Sequence, residues 1–130
     1  MTTLKVGIAS YEEMKARTMR IARGAERVLA SEPKAWFASP ESFAKVLSAG
    51  NRELLRVIAE KMPASLDELA QLTGRKKSNL SRTLKTMEGY GLVRLDRGAR
   101  GRIVAKVVHD RVELDLPLTA ANAPAAEIAG

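Results

Sequence analysis

The sequence predicts a mainly helical α+β chain with a small β-hairpin, and three observations carry that expectation. Apolar residues recur at spacings of three and four in several stretches, and each stretch is ended by proline or glycine at Pro33, Pro63 or Gly74. Two strand-like runs, Leu92–Leu95 and Arg102–Val108, are joined by six residues with two glycines, which permit the positive φ angles of a hairpin loop. At 130 residues with 45% apolar content, the chain suits one domain with appendages and can bury a modest core.

In chain order, Thr3–Ile8 alternates and predicts a short strand. A helix is expected from Ser10 to about Ser31. Along it Tyr11, Met14, Thr18, Ile21, Ala25 and Val28 form a heptad-like seam, with Lys15, Arg17, Arg20, Arg23 and Arg27 elsewhere on its surface. Such a helix either packs on its own domain or pairs two copies of the chain. After Pro33, Ala35–Ala38 is expected to be a second short strand paired with the first, with Trp36 and Phe37 as core or interface anchors. Ser39-Pro40-Glu41 supplies a cap, a first-turn proline and an early acid for a helix to Leu47. Gly50-Asn51 is read as a break, after which Leu54, Leu55, Val57, Ile58 and Met62 define a helix ending at Pro63. The expected organisation is an extension over 1–49, a main unit over 50–116 and a flexible tail over 117–130.

The stretch from Leu66 to Leu95 organises the rest. Ser65 caps a helix and Glu68 is expected to complete a capping box, while Gly74 stops it. After Gly74-Arg75-Lys76-Lys77, a second helix places Leu80, Leu84 and Met87 on one face. Arg75, Ser78, Asn79, Arg82, Lys85 and Thr86 fall opposite, with no carboxylate among them. An ordinary wet helix face mixes signs, because opposite charges three or four residues apart stabilise it. A face of guanidinium forks, amides and hydroxyls instead suits phosphates and the purine edges of a major groove.

Leu66-Asp67-Glu68-Leu69-Ala70, Thr73-Gly74-Arg75, Ser78-Asn79-Leu80-Ser81-Arg82-Thr83-Leu84 and Gly89-Tyr90-Gly91-Leu92-Val93 follow one another in an order that resembles the winged helix-turn-helix of prokaryotic transcriptional regulators, most of all the MarR and ArsR type. The resemblance covers roughly residues 50 to 110. It implies that the second helix enters the major groove and that the hairpin is a wing touching the neighbouring backbone or minor groove.

Charge is distributed in keeping with that. The net charge is +7, yet residues 75–111 alone hold eleven Lys or Arg against three acids, or +8. A localised excess of this kind is the footprint expected for a polyanionic partner. The hairpin tip concentrates Arg97, Arg100 and Arg102, which favours phosphate or minor-groove contact. The residues expected to contact DNA are therefore Arg75, Lys76, Lys77, Ser78, Asn79, Ser81, Arg82 and Lys85, together with Arg97, Arg100 and Arg102.

Val112–Leu116 alternates and predicts an edge strand with its acids outward, and the Ala- and Pro-rich tail lacks periodicity. No cysteine is present, so neither a disulfide framework nor a zinc-thiolate site is expected. The single histidine, His109, has only Asp110 beside it, and no phosphate loop, nucleophile elbow or metal-binding histidine pair occurs. An enzyme is not expected, nor a cofactor. With no membrane span and no secretory signal in view, a cytoplasmic location is expected. Together these features lead to the expectation of a homodimeric, double-stranded-DNA-binding transcriptional regulator, acting as a repressor. The competing expectation is an antitoxin that binds a toxin protein and regulates its own operon.

Overall fold

The computed structural model describes residues 2–28 and 32–119. Leu4, Val6 and Ile8 alternate with Thr3, Lys5 and Gly7 to make β1 (Thr2–Ile8), in which Leu4 and Val6 are buried. β1 is the middle strand of a three-stranded sheet, flanked by β2 (Ala35–Phe37) and by β5 (His109–Asp115), both parallel to it. The expected pairing of the first two strands is present, in the register Val6↔Ala35 to Ile8↔Phe37. The expected edge strand begins earlier than predicted, at His109, and its partner is the far end of the chain. Residues 1–49 and 50–116 are thus joined by a shared sheet.

Gly7 lies directly beside Trp36 in the adjacent strand, and a Cβ at this position would come within 2.5 Å of the Trp36 ring. Glycine is needed here for close approach. Over the same ring sits the Arg17 guanidinium, 5.7 Å from its centroid. Arg17 belongs to α1 (Tyr11–Ala22), whose cap Ser10 accepts from the Glu13 N–H in a capping box.

The predicted length of this helix is corrected. It ends at Ala22, so Ala25 and Val28 leave the expected seam, and residues 29–31 lie outside the described residues. Gly24 takes φ +78, and the chain folds back so that Glu26 bonds Arg17 and Arg20 while Glu32 bonds Arg17. Hydrogen bonding from Arg20, aided by Arg17, holds the Glu26 carboxyl below its ordinary range. α1 contains no buried residue; Met14, Arg17 and Ile21 are its half-buried side.

In α2 (Pro40–Val46), Ser39 caps as expected. The reading of Gly50-Asn51 as a break is also corrected, because both residues lie inside α3 (Ala49–Lys61). Ser48 caps that helix by accepting from the Asn51 N–H, and the Asn51 amide donates to Val46 O, so the junction falls at Leu47–Ser48. α4 (Leu66–Thr73) is capped by Ser65, but Glu68 accepts from the Ala64 N–H, one residue earlier than a capping box requires. Gly74 ends it at φ +74.

α5 (Lys77–Gly89) buries Leu80, Leu84 and Met87, as its periodicity predicts. β3 (Val93–Arg97) and β4 (Ile103–Val107) follow as an antiparallel hairpin. A single apolar cluster unites Leu4, Val6 and Phe37 with Leu54 and Ile58, Leu66 and Leu69, the α5 triad, and Leu92, Val93, Leu95 and Ala105. The fold is α+β. Residues 120–130 of the expected tail lie outside the described residues.

Phe37 joins the sheet to the helices, stacked on Tyr90 at 4.0 Å between centroids and meeting Phe43 edge-on at 5.2 Å. It is completely buried. Phe37→Ala should therefore lower unfolding free energy by about 3–5 kcal/mol in a urea titration. A loss below about 1 kcal/mol would contradict this central position.

Candidate nucleic-acid interface

The burial of Leu80, Leu84 and Met87 determines what α5 shows to water. Ser78, Asn79, Arg82, Lys85 and Thr86 are exposed, and Ser81 is half-buried at the margin. Asn79 and Arg82 are three residues apart near the start of the helix and so share a side. On α3 the pattern is the opposite, since Arg56 is bonded to both Glu53 and Glu60, and its guanidinium holds the Glu53 carboxyl below the usual range. The exposed side of α5 has no such internal partners.

The start of α5 has an unusual electrostatic arrangement. Its N-cap is Lys76, which makes no side-chain cap bond, and no acid occupies the first turn. Free N–H groups and the helix dipole make this end positive, so two lysines at Lys76 and Lys77 oppose the dipole. An approaching anion would relieve both effects. Lys77 pairs with Asp67 of α4 at 3.2 Å, but both side chains are largely exposed and the pair is weak.

Arg75 differs from the other expected contacts. Its guanidinium donates to Asn51 Oδ1 at 3.0 Å and to Gly50 O at 2.9 Å, both in the first turn of α3. The side chain is half-buried and committed within the fold, tying the turn before α5 to α3. Within the fold Arg75 therefore has a positioning role.

At the hairpin, Arg97, Arg100 and Arg102 are all exposed. The tip contains a short 3-10 turn, Ala99–Gly101. Gly101 takes φ +70 as a hairpin glycine should, but Gly98 lies at φ −104 and Arg100 instead carries the second positive φ, +61. A left-handed conformation at a bulky residue costs roughly 1–2 kcal/mol. Arg100 and Arg102 line a cleft of about 510 Å³ together with Ser65, Asp67 and Lys77, so the tip and the start of α5 share one side of the molecule.

Sequence reasoning passes over Arg94 and Lys106. The hairpin register sets them opposite each other on the exposed face, and strand alternation is the signal that could have found them. Arg94 is bonded to Asp96 at 2.9 Å. Among the described residues, Lys76, Arg82, Lys85, Arg97, Arg100 and Arg102 form no ion pair. They are exposed cations of α5, its N-cap and the hairpin, beside the Ser78 hydroxyl and the Asn79 amide. His109 lies elsewhere, at the start of β5, with Nδ1 2.7 Å from Thr2 Oγ1. Among the described residues there is no cluster of metal-binding side chains, and no helix is long and apolar enough to cross a membrane.

Residues 46–114 match the protein family described as HVO_A0114, a span that takes in α3, α4, α5, the hairpin and most of β5. No curated protein and no solved structure matches the chain.

The placement of Arg75 gives a direct test. Arg75→Ala should lower stability by about 1–3 kcal/mol, because it removes two charged hydrogen bonds and leaves the Asn51 amide oxygen without its donor. Lys85→Ala, on the open face, should change it by no more than about 0.5 kcal/mol. Equal, negligible losses in chemical denaturation would show that the Arg75 contact is not structural.

Proposed function

We propose that this chain, which belongs to the HVO_A0114 family, whose name states no activity, binds double-stranded DNA sequence-specifically through a winged helix-turn-helix. On this reading α4 and α5 are the two helices, α5 enters the major groove, and the β3–β4 hairpin is the wing. The protein acts as a transcriptional regulator, blocking transcription where its site overlaps a promoter.

The observation that carries the proposal is the exposed side of α5. Ser78, Asn79, Arg82 and Lys85 stand on it without an acid, because the opposite side is locked in the core. Asn and Arg are the side chains that form two bonds to one purine, Asn with adenine and Arg with guanine. Ser78 and Lys85 suit the backbone on either side. Arg100 and Arg102, beside the start of α5, then reach the adjacent phosphates or minor groove.

Selection of bound sequences from a random duplex pool would identify the preferred site. On it, Arg82→Ala should cost about 1–3 kcal/mol while barely changing affinity for a scrambled duplex, and Asn79→Ala should do the same at a different base. Equal losses on both duplexes would make Arg82 a phosphate contact; no loss on either would remove α5 from the groove.

The wing is tested by salt. Changing Arg97, Arg100 and Arg102 together to Ala should weaken specific and random duplex alike, and flatten the log–log salt dependence by roughly 0.9 for each phosphate that is no longer neutralised. Unchanged affinity and slope would exclude the hairpin from the interface.

A further inference from the structure

Among the described residues β5 is bonded to β1 along one side only, and no strand of theirs pairs with its other side. Edges of this kind invite a further strand unless proline, lysine or a bulge blocks them. Thr2 pairs with His109 and Thr3 with Arg111, so Asp110 is bulged out of register, and the stretch open to a further strand is the regular one from Arg111 to Asp115.

The side chains along this edge are complementary to their own reverse. Consider a second copy of β5 running antiparallel beside the first, with a two-fold axis at Val112. Arg111 then faces the second copy's Glu113, and by symmetry this pairing occurs twice. Shifting the axis to Arg111, Glu113 or Asp110 sets a charged residue against itself, and shifting it to Leu114 sets Glu113 against Asp115. Among centres from Asp110 to Leu114, Val112 alone avoids like-charge pairs.

The apolar face agrees with the same register. Val112 and Leu114 share a face with Leu4 and Val6, beside which they pair, yet Leu114 and Leu116 remain 36% and 40% exposed. Near the beginning of β5 that face opens onto an apolar groove lined by Phe43, Leu47, Leu55, Leu92, Val107 and Val112. An axis at Val112 carries the second copy's Leu114 and Leu116 past that residue toward the beginning of the first β5, where the groove lies. The exposed leucines of each copy are delivered to the open apolar surface of the other.

We propose that two copies of this chain pair β5 to β5, antiparallel about Val112, to form a continuous six-stranded sheet. The interface is isologous and closed. It needs no DNA, and it differs from the α1 seam that the sequence suggests. On the DNA-binding reading, the axis is perpendicular to the sheet and leaves α3, α4 and α5 of both copies on one side, as paired palindromic half-sites require.

The test is sedimentation of the full chain without nucleic acid, so that its failure is distinct from failure to bind DNA. The unaltered protein should be a dimer at micromolar concentration. Arg111→Glu alone, or Glu113→Arg alone, sets like charges together twice and should raise the dimer Kd roughly tenfold or more. An equimolar mixture of the two variants restores opposite charges across the interface and should dimerise again. Because Glu113 also neighbours Lys5 in its own sheet, circular dichroism melts should confirm that each variant is folded. Leu116→Asp, outside the strand, gives a second variant with the same expected loss. A monomeric parent, a variant that dimerises as tightly as the parent, or a mixture that stays monomeric would overturn the proposal. A parent that is monomeric until another protein is added would also overturn it, and would assign the edge to that partner instead.

Discussion

The burial of Leu80, Leu84 and Met87, each 0–1% exposed, is the constraint on which the rest of the molecule depends. A helix held by three such side chains cannot rotate about its axis without opening cavities, because protein interiors are close-packed. Its wet side is therefore fixed in direction as well as composition. Both ends are fastened by residues distant in sequence. Arg75 holds the turn before the helix to the first turn of α3, and Tyr90, just beyond its end, lies flat on Phe37 of β2. The groups that face water on α5 are pre-positioned by residues that never reach the surface there.

The parallel sheet has a separate physical requirement. Such sheets need cover on both faces, and here the two covers differ in kind. Leu4, Val6 and Phe37 turn toward the helical core. On the other face, Trp36 covers Gly7 and is itself covered by Arg17, whose charge is balanced by Glu26 and Glu32. A layer built from a cation, a ring and two carboxylates can remain near water. This explains how α1 holds its place without burying a single residue.

What can be read from the residues is local. The α5 faces, the Gly74 stop and the caps at Ser39 and Ser65 follow from periodicity and from groups a few residues apart. Sequence and structure part where a local pattern has more than one solution. Heptad spacing runs through Gly24 because periodicity counts positions and ignores φ, so it extends to Ala25 and Val28 although the helix has already ended. Gly50 reads as a break, yet a glycine in a first turn is tolerated when Ser48 caps it and Asn51 anchors it. The partner of β5 leaves no trace in the alternation of Val112 to Leu116, since parallel pairing across the whole chain has no turn to announce it. Arg75 reads as a surface cation for the same reason. Its carbonyl and amide acceptors are 25 and 24 residues away.

The pairing of β1 with β5 also sets an order of events during biosynthesis. Thr2 and His109, which meet at one end of that pairing, are 107 residues apart. As the chain leaves the ribosome, β1, α1 and β2 emerge early, but one side of β1 stays open until the hairpin and β5 have followed. Long-range parallel pairings of this kind form late and slowly, because the intervening loop must first be closed. Until then the nascent chain presents an apolar strand with a bare edge, and its capture by chaperones or by chains growing on neighbouring ribosomes competes with completion of the sheet.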